Sequence, residues 1–178
     1  MKSKLSIKDL CLIALFTAFT AVMAQLAIPL PLGVPITLQT FAVCLVGIVL
    51  GSKKGFLSIL IYILLGAVGV PVFAEFSGGL NNVFGATGGF ILSFPAMAYI
   101  VGLGTEKTKK LSGLILAMTI ATIVNFLAGT IMFMFIMKSD LWFTLSACVF
   151  PFIPGAIIKC AAAASLGKII KKRGLIPE

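Results

Sequence analysis

Few residues in this 178-residue chain are equipped for chemistry, and they fall into three sets. Lys159 stands alone inside a long apolar run, Phe152-Ile-Pro-Gly-Ala-Ile-Ile-Lys-Cys-Ala161. An ionisable side chain at such a place is expensive unless it is solvated or paired, so it is a functional candidate by default. With a helix restarting at Pro154, Lys159 lies about 7–8 Å along the axis at 1.5 Å per residue. An anionic ligand would supply its counter-charge; the structural alternatives are snorkelling to the interface or a pair with Glu75. Thr37, Gln39 and Thr40 open a second apolar run. Asn81, Asn82 and Thr87 sit in a stretch rich in glycine and aromatics, Gly69 to Phe90, which also holds Glu75. Amides and hydroxyls beside Phe73, Phe76, Phe84 and Phe90 make an apolar box with a few placed hydrogen bonds, the usual build of a small-molecule site. Helix capping and loop packing are the competing roles for each of these polar residues. Asn125, in mid-run, reads as an interhelical hydrogen bond.

Catalytic chemistry finds little support. There is no histidine, no carboxylate pair at helical spacing and no nucleophile motif. Gly167-Lys168 is followed by Ile169 and lacks the upstream glycine of a phosphate loop. The chain is therefore expected to be no enzyme, to carry no cofactor and no metal, and to be unable to hydrolyse ATP alone. Cys11, Cys44, Cys148 and Cys160 stand singly in apolar context and read as small buried hydrophobes. No chain of acidic residues suggests an ion-driven transporter.

The composition places these residues in a membrane. Hydrophobic residues make up 60% of the chain and charged residues only 11%, as in a polytopic membrane protein. The net charge of +9 comes from short basic clusters between apolar runs, with no basic face interleaved with stacking aromatics, so nucleic acid is excluded as a partner. Runs of nearly 20 apolar residues suggest spans at Leu5–Ile28, Ile36–Leu50, Gly55–Val68, Gly89–Leu103, Leu111–Met137 and Leu141–Ile170, the last interrupted at Pro151–Gly155. Val22-Met23-Ala24 mimics a signal-peptide cleavage site, but the run continues to Ile28, so a retained first helix is expected. The fold class is thus all-α, a compact bundle of six transmembrane helices forming one domain over residues 1–178. The Gly-rich loop between the third and fourth helices is extracellular, dipping into or capping a pocket, because irregular backbone at membrane depth is tolerated only where it is buried or lines a cavity.

Six spans put Lys2, Lys4, Lys8, Lys53, Lys54, Lys107, Lys109, Lys110, Lys168, Lys171, Lys172 and Arg173 on one side and only Lys138 on the other. Positive residues favour the cytoplasm, so both termini are expected there. On the first helix, Ala14 and Ala18, followed by Ala21 and Ala24, offer small residues for close helix approach, within the bundle or to another protein.

Several segments together resemble the BioY family: Ile36-Thr-Leu-Gln-Thr-Phe41, Gly66-Ala-Val-Gly-Val-Pro-Val-Phe-Ala74, Ser77-Gly-Gly79, Gly85-Ala-Thr-Gly-Gly89 and Pro151-Phe-Ile-Pro-Gly-Ala-Ile-Ile-Lys159. The resemblance runs in order through nearly the whole chain. It implies the biotin-binding S component of an energy-coupling factor transporter, in the plasma membrane of a bacterium. The partners it implies are a transmembrane coupling subunit and two cytoplasmic ATPases. It assigns ligand contacts to Gln39, to Asn82 or its neighbour, and to Lys159, and contact with the coupling subunit to Ala14 and Ala18. Thr37, Asn81, Thr87, Phe90 and Ala156 complete the candidate site. Three positions depart from the family pattern. Ala156 stands where the family carries Asp, Ala86 where it carries Pro, and Phe90 where it carries Tyr. A carboxylate accepts from the N–H groups of a ureido ring, and leaving such a donor unpaired costs about 1–3 kcal/mol. Ala156 therefore sets biotin against lipoate, a related acid without N–H donors, as the substrate. A stand-alone secondary transporter is the rival reading.

Overall fold

The structure is a computed structural model that describes residues 5–30, 34–108 and 110–172. Of the basic residues weighed above, Lys2, Lys4, Lys109 and Arg173 lie outside the described residues, as do Pro31 and Gly33, which follow the first apolar run. Among the described residues, five helical stretches are long and apolar enough to cross a membrane: Ile7–Gln25, Gln39–Ala67, Gly88–Lys107, Leu111–Met137 and Leu141–Ile170.

Helix α1 (Ile7–Gln25) begins with a capping box, in which Ser6 Oγ accepts from Asp9 N and the Asp9 carboxylate accepts from Ser6 N. A two-stranded antiparallel ribbon follows, with β1 (Ala27–Ile28) paired to β2 (Ile36–Thr37). The prolines between mark this connection in the sequence, but the strand pairing was not expected from them.

Helix α2 (Gln39–Ala67) takes in the residues expected to form the second and third spans, with an interruption at Gly51, whose φ is 78° and ψ −175°. A side chain rarely tolerates that backbone, which is why glycine stands there. The two arms reverse direction. In a straight helix Gln39 and Tyr62 would be about 34 Å apart, yet Gln39 Nε2 donates to Tyr62 Oη at 2.6 Å. The reversal is fastened by Glu106, which accepts from Ser52 N at 2.7 Å and from Ser52 Oγ at 2.9 Å, capping the second arm.

The Gly-rich stretch contains a 3-10 turn at Ala74–Phe76 and the short helix α3 (Leu80–Val83), and α4 (Gly88–Lys107) follows. Helix α5 (Leu111–Met137) ends at Lys138 in left-handed conformation. The interruption expected at Pro151–Gly155 falls slightly earlier: α6 (Leu141–Cys148) stops before Pro151, and α7 (Phe152–Lys172) continues through Pro154. Pro154 lies in the first turn of α7, where its missing N–H removes no helical hydrogen bond.

The buried core runs through both arms of α2 and the facing sides of α1, α4, α5 and α7. Glycines permit the closest crossings. A Cβ on Gly102 would lie 2.3 Å from Ser52 N and 2.5 Å from Gly51 C, both backbone atoms of the α2 turn. We expect Gly102→Leu to destabilise the protein by at least about 1–3 kcal/mol through overpacking. A lower thermal midpoint in detergent checks this; an unchanged midpoint would mean that α4 can move away from the turn.

Two ends of the bundle are distinct. At one, Asp9 of α1 pairs with Lys54, and Glu106 holds the α2 turn, so Lys8, Lys53, Lys54 and Lys107 gather together. At the other, Gln25 at the end of α1 holds the Gly-rich loop: Gln25 Nε2 donates to Phe73 O at 3.1 Å, and Gln25 Oε1 accepts from Phe76 N at 2.9 Å.

Candidate functional site

A cavity of about 190 Å³ opens at this second end, bounded by β2, the start of α2, the Gly-rich loop, α4, α5 and α7. Of the candidate residues, Thr37, Gln39, Asn82, Thr87, Phe90, Ala156 and Lys159 all line it, as does Thr40. Asn81 does not: it is exposed on α3 and its place in the site is taken by its neighbour Asn82. On so short a helix, adjacent residues point in different directions, so only one of the two amides faces inward.

Lys159 is held from the opposite wall. Its Nζ donates to Thr37 O at 2.8 Å and to Thr40 Oγ1 at 3.3 Å. These are neutral oxygens, and an ammonium has three donors. The only ion pair among the described residues is Lys54–Asp9, so the proposed pair of Lys159 with Glu75 is not formed. Nor does Lys159 snorkel outward; it is partly buried and turned toward the β2–α2 junction.

The floor and roof are joined by hydrogen bonds. Thr37 Oγ1 donates to Gln39 Oε1 at 2.9 Å, Gln39 Nε2 donates to Tyr62 Oη at 2.6 Å, and Tyr62 Oη donates to Val72 O at 3.0 Å. Tyr62 also meets Phe73 edge-on, with ring centroids 5.6 Å apart, and Phe73 closes over Gly66. The loop is thus an anchored roof, not a loose linker. Asn82 contributes by donating from Nδ2 to Gly78 O at 2.8 Å.

Phe90 packs over Gly129, where a Cβ would stand 2.2 Å from its ring, so it faces α5 as well as the cavity. Asn125 donates to Phe90 O at 3.0 Å and to Ser93 Oγ at 2.7 Å, the interhelical role expected of it, and it also borders the cavity. The sequence reading missed Gln25 and Tyr62, which hold the loop. It also missed the α5 contribution, Thr122 and Phe126. Thr122, Asn125 and Phe126 follow helical i, i+3, i+4 spacing on one face, which is the signal that could have found them.

Ala14 and Ala18 do not line this cavity. Both are exposed on α1, while Ala24 on the same helix is fully buried. Packing within the bundle therefore does not account for them.

A solved structure shares this architecture. The crystal structure of the S-component for biotin from an ECF-type ABC transporter superposes with a TM-score of 0.87 at 27% identity, covering 98% of this chain and 96% of that one. The probable biotin transporter BioY of Pyrococcus horikoshii is 45% identical over 88% of this chain and 91% of its own length. The biotin transporter BioY of Thermotoga maritima is 36% identical over 89% of this chain and 92% of its own length. The family model described as the BioY family matches residues 1–174. With one family matched across almost the whole length, and with the cavity built from the segments that carry the resemblance, this chain belongs to the BioY family.

Proposed function

We propose that this chain is the substrate-binding membrane subunit of an energy-coupling factor vitamin transporter, and that its substrate is biotin. The observation that carries the reading is the cavity: a lysine with neutral partners only, set among amides, hydroxyls and aromatic rings beneath an anchored loop. Lys159 takes the ligand carboxylate. Gln39, Thr37, Asn82 and Thr87 supply hydrogen bonds, and Phe90 and the facing aromatics cover the ring system. The relatives named as biotin transporters support the choice of substrate.

Counting the two arms of α2 as separate crossings supports six transmembrane segments with the Gly-rich loop outside. Clustering of Lys8, Lys53, Lys54 and Lys107 at the end away from the cavity supports cytoplasmic termini in the plasma membrane. The partners are a transmembrane coupling subunit, met through Ala14 and Ala18, and two cytoplasmic ATPases that supply the energy this chain has no motif to generate.

Calorimetric titration of the detergent-solubilised protein with biotin and, separately, with lipoate tests the substrate. Biotin is expected to bind and lipoate to bind weakly. Lipoate binding without biotin would make Ala156 a specificity switch and overturn the substrate assignment. Uptake of labelled biotin into vesicles tests the transport class: dependence on the ATPase module is expected, and uptake driven by an ion gradient alone would place the chain among secondary transporters.

A further inference from the structure

We propose that Glu75, on the roof of the cavity, is the specificity-determining carboxylate that accepts from the N–H groups of the ligand. This inference rests on biotin as the substrate, since biotin's ureido ring presents such donors. The position that would bring a carboxylate from α7 is occupied by Ala156, which lines the cavity and can accept nothing through its side chain. Glu75 is the one acidic residue lining the same cavity. It reaches the site from the Gly-rich loop, not from α7, and lies in a different wall from Lys159.

Glu75 is exposed on this roof, and two observations bear on its role. Its backbone is left-handed, with φ 59° and ψ 36°, and Phe76 follows at φ 53°. Residues with a side chain seldom adopt this conformation, and when they do so at a binding site the surrounding structure imposes it. Here the surrounding structure is explicit. Phe73 N donates to Ser77 O at 3.0 Å across the base of the turn, while Gln25 grips Phe73 O and Phe76 N from α1. The turn therefore keeps the same shape whatever side chain position 75 bears, and a glycine there would adopt it without strain.

The second observation is that the carboxylate has no cation within ion-pair distance among the described residues. Lys159 is committed to Thr37 O and Thr40 Oγ1, so the two charged walls do not cancel each other in the unliganded protein. A ligand with an acidic tail and N–H donors at its other end would satisfy both, and water would leave as it binds. Charge-assisted hydrogen bonds of this kind discriminate against an analogue that lacks the donors, because the analogue forgoes them.

The test compares the intact protein with Glu75→Gln and Glu75→Gly by calorimetric titration with biotin and with lipoate, alongside thermal midpoints. Glu75→Gly is expected to retain the midpoint of the parent, since it relieves the left-handed backbone. Both variants are expected to bind biotin at least about tenfold more weakly, and the preference for biotin over lipoate is expected to shrink by a similar factor. If the parent binds biotin and both variants bind it equally well, the role of Glu75 is overturned while the substrate assignment stands. If the parent fails to bind biotin at all, the substrate assignment falls and this inference with it.

Discussion

Replacing Lys159 by methionine or alanine is expected to weaken ligand binding by more than tenfold without unfolding the protein. The reasoning begins with the partners of Nζ, which are a backbone carbonyl and a hydroxyl, with no carboxylate. A hydrogen bond to a charged group contributes about 1.5–3 kcal/mol, and 1.4 kcal/mol is a factor of ten in affinity. Removing the ammonium thus removes at least one decade of binding from an anionic ligand. It also leaves Thr37 O with one partner fewer, a carbonyl that water entering the cavity is able to satisfy in place of the lost donor. Lys159→Met keeps the apolar stem and separates charge from packing. Lys159→Arg is not expected to rescue, because a planar fork does not fit a site shaped for a compact ammonium. Titration gives the affinity, and a thermal scan in detergent reports folding. Unchanged affinity in Lys159→Met would remove Lys159 from the site.

The second large effect concerns transport, not binding. The double variant Ala14→Leu/Ala18→Leu is expected to abolish uptake while ligand affinity in the isolated subunit stays within about twofold. The two alanines are exposed on one stripe of α1, one turn apart, on the surface of the bundle. Small residues at that spacing let a second helix approach closely, and packing, not the hydrophobic effect, drives such association in lipid. Leucine fills the groove on that stripe and holds the partner helix off. The cavity is lined from other elements, so its geometry should persist. Uptake by vesicles carrying the whole transporter, set beside titration of the subunit alone, separates the outcomes. Uptake that survives the double substitution would assign coupling-subunit contact to a different surface.

Much of the site was legible because polar residues are conspicuous in a chain this apolar. Lys159 interrupts a hydrophobic run, Gln39 opens one and Asn82 stands in the Gly-rich stretch between two, and the structure places all of them on one cavity. Asn81 was drawn in with its neighbour because the sequence does not say which of two adjacent amides faces inward; the turn of α3 decides that. Gln25 and Tyr62 escaped notice for the opposite reason. Each sits at a span end or within a span, and its partners Phe73, Phe76, Gln39 and Val72 are distant in sequence.

The sequence by itself determined the membrane class, the placing of the apolar runs, the family and the positions of the glycine-rich breaks. These are properties of composition and local order: apolar length, charge spacing and backbone freedom are carried by each segment alone. Tertiary structure alone decided the rest. It folded α2 back on itself at Gly51, tied the loop to α1 through Gln25, and withheld a counter-ion from Lys159. It also brought Glu75 to the cavity that Ala156 leaves without an α7 carboxylate. Such relations depend on which distant backbones approach one another, and close approach is set by packing between helices, to which the order of residues along any one of them gives no direct index.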